Sequence, residues 1–293
     1  MRPLTIVLPY VHVDVFGATP YSGNSLAVFP DARGVGPQQM LRITQELRHF
    51  ESIFLEPTAD DQVYGARVFD LFEELPFAGH PILGAAAVLH RSSGTAMRRV
   101  WKFTLAAKTV SVTTDVGETG LRGELSQGKA QMLGVVDDRG SIAHALSLNA
   151  WDLATDLPLE VVSTGLKYLV VPVVAGALER ARIAIDLTST LQKHGAQFAV
   201  LLDDVTPEQR HWNNNGIIED VATGSAAGVI GAYRLKHQRA ESGKTFALHQ
   251  GRFTGRPSVL HVTPRRIEWG DIEVCVSGNV AFVGHGELAV LPD

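Results

Sequence analysis

Two stretches of this chain open in nearly the same way. Phe77-Ala78-Gly79-His80-Pro81-Ile82-Leu83-Gly84-Ala85-Ala86-Ala87 and Ala222-Thr223-Gly224-Ser225-Ala226-Ala227-Gly228 each begin a run of small and apolar residues. A helix that is apolar on all sides is a buried helix. Its glycines and alanines let strands approach closely on every side. Each stretch also follows acidic residues, Glu73-Glu74 in one case and Glu219-Asp220 in the other. The echo predicts two halves, each a mostly antiparallel sheet around one buried helix, with both helix starts at a shared cleft. Chance likeness between two buried helices would produce the same spacing.

The remainder of the pattern is strand-rich. Alternation of apolar and polar residues predicts a strand over 11–16. A turn at Tyr21-Ser22-Gly23-Asn24 leads to a second strand over 26–29. Pro37–Leu47 reads as a helix, with proline near its start and Met40, Leu41, Ile43 and Leu47 on one side. Strands follow over 52–55 and 62–69, the first buried helix over 79–89, and strands over 100–105 and 109–114. The turn-rich Val116-Gly117-Glu118-Thr119-Gly120 then suggests domains of 1–118 and 119–293, with the last strand free to return to the first. In the second domain we expect strands near 130–134, 159–163 and 167–173, a helix near 187–194 and a strand over 197–202. The second buried helix opens at Thr223, and strands follow at 246–250, 258–263, 272–276 and 280–283.

Composition removes several classes of function. With 45% hydrophobic and 19% charged residues, 293 residues can bury a sizeable core, so global disorder is excluded. A net charge of −5 without a basic run argues against nucleic acid as a partner. The single cysteine, Cys275, rules out an intrachain disulfide framework and any multi-cysteine zinc site. No stretch approaches the roughly 18 apolar residues of a membrane span. The apolar run up to Val11 lacks a small-residue cleavage site and reads as the approach to a strand. The expectation is a soluble cytoplasmic protein.

The residues with chemical potential cluster near the two helix starts. Thr223, Gly224 and Ser225 open a helix whose free first-turn N–H groups and dipole suit an anion such as a substrate carboxylate. Asp220, just upstream, could orient a substrate amine or a histidine; a capping carboxylate is its plainer role. Glu51 sits between Phe50 and Phe54, and desolvation by those rings would suit a proton carrier. A surface glutamate at a strand start would look the same. His80 follows Gly79 at a helix start and could pass a proton or hydrogen bond to a substrate oxygen, or simply pack there. Asn24 could aim an amide at the cleft or serve only in a turn. His12 and Asp14 share a strand face, but two ligands do not make a metal site, and no metal is assigned. There is no P-loop and no Gly-x-Ser-x-Gly elbow. The Gly284-His285-Gly286-Glu287-Leu288-Ala289 echo of a dinucleotide fingerprint lacks the helix that must follow it.

In order along the chain, these residues resemble the PhzF family of phenazine biosynthesis. The matching pieces are Val13-Asp14-Val15-Phe16, Gly23-Asn24-Ser25-Leu26-Ala27-Val28-Phe29, Glu51-Ser52-Ile53-Phe54, Arg67-Val68-Phe69 and Glu74-Leu75-Pro76-Phe77-Ala78-Gly79-His80-Pro81. Further on come Glu219-Asp220-Val221-Ala222-Thr223-Gly224-Ser225-Ala226-Ala227-Gly228, Gln250-Gly251, Gly255-Arg256-Pro257-Ser258 and Val276-Ser277-Gly278-Asn279. The resemblance implies an α+β, diaminopimelate epimerase-like fold of two pseudo-symmetric domains, each a sheet rolled around a central helix.

It also implies an activity. In the phenazine enzyme the glutamate matching Glu51 moves a proton of trans-2,3-dihydro-3-hydroxyanthranilate from C3 to C1, and the enol formed becomes an aminoketone. His80 and Asp220 match the groups that hold and polarise the substrate. Gly79, Gly224 and Ser225 match its binding groups, and Asn24 and Thr223 complete the set of binding candidates. No cofactor is needed, because the diene stabilises the charge formed. A homodimer is expected. The epimerase relatives use two cysteines; with Cys275 alone, a carboxylate must do that work here.

The chain departs from the family pattern at two places near the cleft. His211-Trp212-Asn213-Asn214-Asn215 stands where an Arg-Met-Phe-x-Pro type of stretch is common, and Asp70-Leu71 where Thr-Pro is common. The rival expectations are an isomerase or epimerase of another small metabolite, and a non-catalytic ligand-binding member of the family.

Overall fold

A computed structural model describes residues 8–293, and the chain divides into two compact units. One unit runs up to Leu125 and takes in Ser277–Asp293; the other is Ser126–Val276. The expected strand approach before residue 8 lies outside the described residues.

The first unit contains β1 (Leu8–Val15), β2 (Asn24–Phe29), α1 (Pro37–Leu47), β3 (Glu51–Pro57), β4 (Val63–Asp70), β5 (Glu74–Leu75), α2 (Gly79–Ser92), β6 (Arg99–Thr104), β7 (Thr109–Gly117) and the start of β8 (Gly120–Lys129). The strand order is β1-β2-β3-β4-β6-β7-β8, followed by β16 (Ile272–Leu288), which also pairs with β1, so the strands close on themselves. Two neighbouring pairs are parallel, β2 with β3 and β4 with β6. Parallel neighbours need a crossover; α1 supplies the first and α2 the second. Inside the ring, α2 is buried continuously from His80 to His90. Val13, Val15 and Leu26 point at it, and a Cβ on Gly84 would lie 2.4 Å from Leu26 Cδ2. The alternate side chains of the same strands, Ala27, Phe29 and Phe54, form a second core under α1 with Met40 and Ile43.

The second unit contains the end of β8, β9 (Gln131–Val136), α3 (Arg139–Ala145), β10 (Leu159–Ser163), β11 (Lys167–Val173), α4 (Ala177–Arg180), α5 (Thr188–Lys193), β12 (Phe198–Asp203), β13 (Glu208–His211), α6 (Gly224–Lys236), β14 (Phe246–Gln250), β15 (Ser258–Arg266) and the start of β16. Its strand order is β9-β10-β11-β12-β13-β14-β15-β16. Again two neighbouring pairs are parallel, β11 with β12 and β13 with β14. Helix α6 crosses over between the second of these pairs, as α2 does in the first unit. A Cβ on Gly231 of α6 would meet Val262 Cγ1 at 2.5 Å and Val274 Cγ1 at 2.9 Å. Closely packed strands therefore demand the small residues that made this helix conspicuous.

The pairing pattern antiparallel, parallel, antiparallel, parallel, antiparallel runs from β1 to β7 and again from β10 to β15. Shared topology, rather than chance, accounts for the echo between the two helices. Three details differ from the pattern read in the sequence. Glu118 and Thr119 are the tip of the β7–β8 hairpin, and the units divide further on, between Leu125 and Ser126. The turn residues there reverse a strand and do not link domains. The expected strands 272–276 and 280–283 are one continuous strand, because Gly278 stays extended where a Cβ would strike Phe16 Cδ1 at 2.3 Å. Strands β5, β8 and β13 and helices α3 and α4 were not expected. None of the helices is long and apolar enough to cross a membrane, among the described residues.

Candidate active site

In the first unit, Glu51 opens β3 opposite Leu26 of β2, and His80 is the second residue of α2. Alternation along β3 directs Glu51 and Ile53 to the α2 side and Ser52 and Phe54 to the α1 side. Phe54 therefore stacks on Phe29, with ring centroids 4.4 Å apart, and does not cover Glu51. The burial of Glu51 comes from its place beside α2. His80 Nδ1 lies 3.6 Å from Glu51 Oε2, and only 7% and 10% of the two side chains is exposed. At this separation the contact is electrostatic rather than a hydrogen bond, and both groups are of the kind that give and take protons.

Gly79 is the first residue of α2, and the residue before it, Ala78, has no side chain able to cap the helix. Asn24 begins β2 and is buried. It follows Gly23, whose φ of +69° and 2.4 Å approach of a would-be Cβ to the Val15 carbonyl exclude other residues. The His12 and Asp14 face carries a separate network. Ser25 Oγ lies 2.9 Å from His12 Nε2 and 2.7 Å from His49 Nδ1. Among the described residues no three His, Cys, Asp or Glu side chains are grouped to hold a metal ion.

In the second unit, the adjacent acids take different roles. Glu219 is held by Arg210 through two parallel bonds of 2.8 and 2.6 Å. That guanidinium is buried over the rings of Trp212 and Phe253. Glu219 is thus a fastening for the segment ahead of α6. The first unit repeats the device, with Arg67 forked onto Glu74 at 2.8 and 2.5 Å ahead of α2.

Asp220 faces the other way. Its Oδ1 accepts from the Ala222 N–H at 3.3 Å, and its Oδ2 accepts from Thr223 Oγ1 at 2.7 Å. Thr223 is the N-cap of α6, but its hydroxyl is spent on Asp220 and makes no capping bond to the helix. Both central helices therefore start without a side-chain cap. Gln250 ties the turn together: its Nε2 donates to the Asp220 carbonyl and to Thr223 Oγ1 (2.8 and 3.0 Å), and its Oε1 accepts from the Thr223 N–H and from Gln209 Nε2 (2.8 and 2.6 Å). The next residue, Gly251, has φ +84°, and a Cβ there would lie 2.2 Å from the Arg256 carbonyl oxygen. Gly224 is the first residue of α6 and Ser225 the second. Ser225 Oγ lies 2.8 Å from the Tyr168 hydroxyl. Burial pushes the Tyr168 phenol well above its ordinary value, the Ser225 bond works against this, and the Asp220 charge adds to it. The phenol remains a protonated hydrogen-bonding group.

The structure thus brings Glu51 to His80, and Asp220 to Thr223. Tyr168, Gln209, His211 and Gln250 join the second group although their chemistry was not visible in sequence. Two signals were available: Gln250 lies in the Gln-Gly pair that the family resemblance includes, and His211 opens a stretch that departs from the family pattern.

The two-unit topology, with strands packed about one buried helix in each unit, is a diaminopimelate epimerase-like fold. A hydroxyproline epimerase from Agrobacterium vitis shares that fold, with TM-score 0.63 at 13% identity over 100% of this chain and 94% of its own. The model of the PhzC-PhzF family, phenazine biosynthesis-like proteins, matches residues 13–286, and the chain belongs to that isomerase family. A predicted epimerase from Pseudomonas aeruginosa, known as a solved structure, is 46% identical, covering 96% of this chain and 99% of its own, with TM-score 0.89. The trans-2,3-dihydro-3-hydroxyanthranilate isomerase of Pseudomonas fluorescens is 28% identical, covering 96% of this chain and 99% of its own.

Proposed function

We propose that this protein is a cofactor-independent isomerase that moves a proton on a small cyclic carboxylic acid, with Glu51 as the proton carrier. The observation that carries the reading is the buried contact of 3.6 Å between Glu51 and His80. Glu51 takes a proton from a ring carbon as the C–H bond breaks, and the electron pair passes into the adjoining double bonds. The carboxylic acid so formed returns the proton to a second carbon. His80 polarises a substrate oxygen and assists the return. Asp220, Gly79, Gly224 and Ser225 are the remaining groups that the resemblance assigns to the substrate, and Asn24 and Thr223 join them from their place at a strand start and a helix start. The leading candidate is trans-2,3-dihydro-3-hydroxyanthranilate, the substrate named for the Pseudomonas fluorescens relative.

A second reading keeps the proton transfer and changes the molecule. The predicted epimerase at 46% identity favours isomerisation or epimerisation of another small acid. NMR in D2O separates the two readings. Each cyclic acid of a panel that includes the dihydro-hydroxyanthranilate is incubated with enzyme, and a shifted double bond, an inverted centre or deuterium on carbon marks a substrate. Proton transfer is rejected if no member of the panel is isomerised or gains deuterium. The same resemblance leads us to expect a homodimer, which light scattering reads directly.

A further inference from the structure

His211 is gathered with Tyr168 beside the start of α6, yet none of the roles above uses its imidazole. Tyr168 of β11, Phe198 of β12 and His211 of β13 form a triangle of rings, with centroids 5.4, 5.5 and 5.8 Å apart. One corner of the triangle touches α6 through the 2.8 Å contact of Tyr168 with Ser225. Another is joined to the Asp220 turn, where the Asp220 N–H donates to the His211 carbonyl at 2.9 Å.

The imidazole has a defined tautomer. Its Nδ1 lies 2.9 Å from the Ala199 carbonyl oxygen, and a carbonyl only accepts, so Nδ1 carries the proton. Burial disfavours the charged ring and pushes its pKa below the ordinary value, against the pull of the Asp220 carboxylate and of the Ala199 bond. The ring is therefore neutral near pH 7, and Nε2 presents a lone pair. A neutral histidine within electrostatic reach of the Asp220 carboxylate offers an acceptor, which suits a ligand bringing a donor.

We propose that His211 is a specificity-determining acceptor, whose Nε2 receives an N–H or O–H donor of a small cyclic acid bound at the start of α6 beside Asp220. The inference rests on the reading that this helix start binds the substrate, and it assigns recognition of the ligand's N–H or O–H to a named side chain. The Tyr168 and Phe198 rings lock the imidazole in place, so the acceptor is preorganised.

The test compares two stable probes by NMR titration, 3-hydroxyanthranilate, which carries both donors, and benzoate, which carries neither. The wild type is expected to bind 3-hydroxyanthranilate at least about tenfold more tightly than benzoate, the scale of one good hydrogen bond. His211→Phe keeps a ring between Tyr168 and Phe198 and should bring that preference to within about twofold, with benzoate affinity unchanged. His211→Gln restores an acceptor near the Nε2 position and should recover most of the preference. The proposal is overturned if His211→Phe keeps the preference, or if the wild type has none. The D2O panel with the same proteins reads the proton-transfer reading separately: donor preference without any isomerisation or exchange would sink that reading and leave the role of His211 standing.

Discussion

His80 Nδ1 lies 3.6 Å from Glu51 Oε2, and each of these residues stands at the very start of a regular element. Glu51 is the first residue of β3 and His80 the second of α2. The separation is set by backbone positions that the surrounding strands hold rigidly, so little side-chain ordering is left for the reaction to demand. The closely packed, glycine-dependent helix is the structural basis of the site as well as of the core.

If His80 shares the proton work, His80→Asn should lower kcat by about 10²-fold, the lower end of acid–base contributions. Asparagine keeps a polar group at this buried position, so the fold is expected to survive. Steady-state kinetics together with a thermal melt check this. An unchanged kcat would reduce His80 to a packing role.

Gln250 fastens the turn before α6 through four hydrogen bonds. Gln250→Leu leaves the buried Thr223 N–H without its acceptor and the Gln209 amide with only its 3.3 Å bond to the Thr223 carbonyl. Each unsatisfied group costs about 1–3 kcal/mol, so a loss of at least about 2 kcal/mol is expected in urea unfolding. A smaller loss would mean that the turn is held chiefly by the Asp220–Thr223 bond.

The neutral His211 makes stability depend on pH. Its folded pKa lies below the unfolded value, so the unfolded chain takes up a proton first as the pH falls. This contribution is complete above about pH 6.5 and is lost as the pH drops below it, by at most about 1.4 kcal/mol per pH unit. Urea unfolding between pH 7.5 and 5 should therefore show the wild type losing stability faster than His211→Phe. Parallel curves would contradict a neutral, buried imidazole.

These cases show what was legible in the sequence. Helix α1 appears over the residues expected, as do β10, β11 and β14, because their patterns are local. Strand β13 escaped because Glu208-Gln209-Arg210-His211 is wholly polar although all four residues are buried. Their burial depends on Arg252, Gln250, Glu219 and Ala199, far off in the chain. Strand β8 was hidden by glycines at 120, 123 and 128, which read as turns. The neighbours of the site divide in the same way. Residues in the helix-start motifs stood out, whereas Tyr168 gains its meaning only from Ser225, 57 positions away. Glu51 was expected to owe its burial to Phe54, but strand alternation sends the two to opposite faces.

The central claim is that Glu51 carries the proton, and Glu51→Gln tests it most directly, since the amide keeps the shape and cannot accept the proton. Deuterium incorporation into trans-2,3-dihydro-3-hydroxyanthranilate, or into whichever panel acid the wild type labels, is followed by NMR in D2O for both proteins. The account predicts that the variant folds and binds but labels its ligand about 10²–10⁴-fold more slowly. Labelling by Glu51→Gln at the wild-type rate would contradict it.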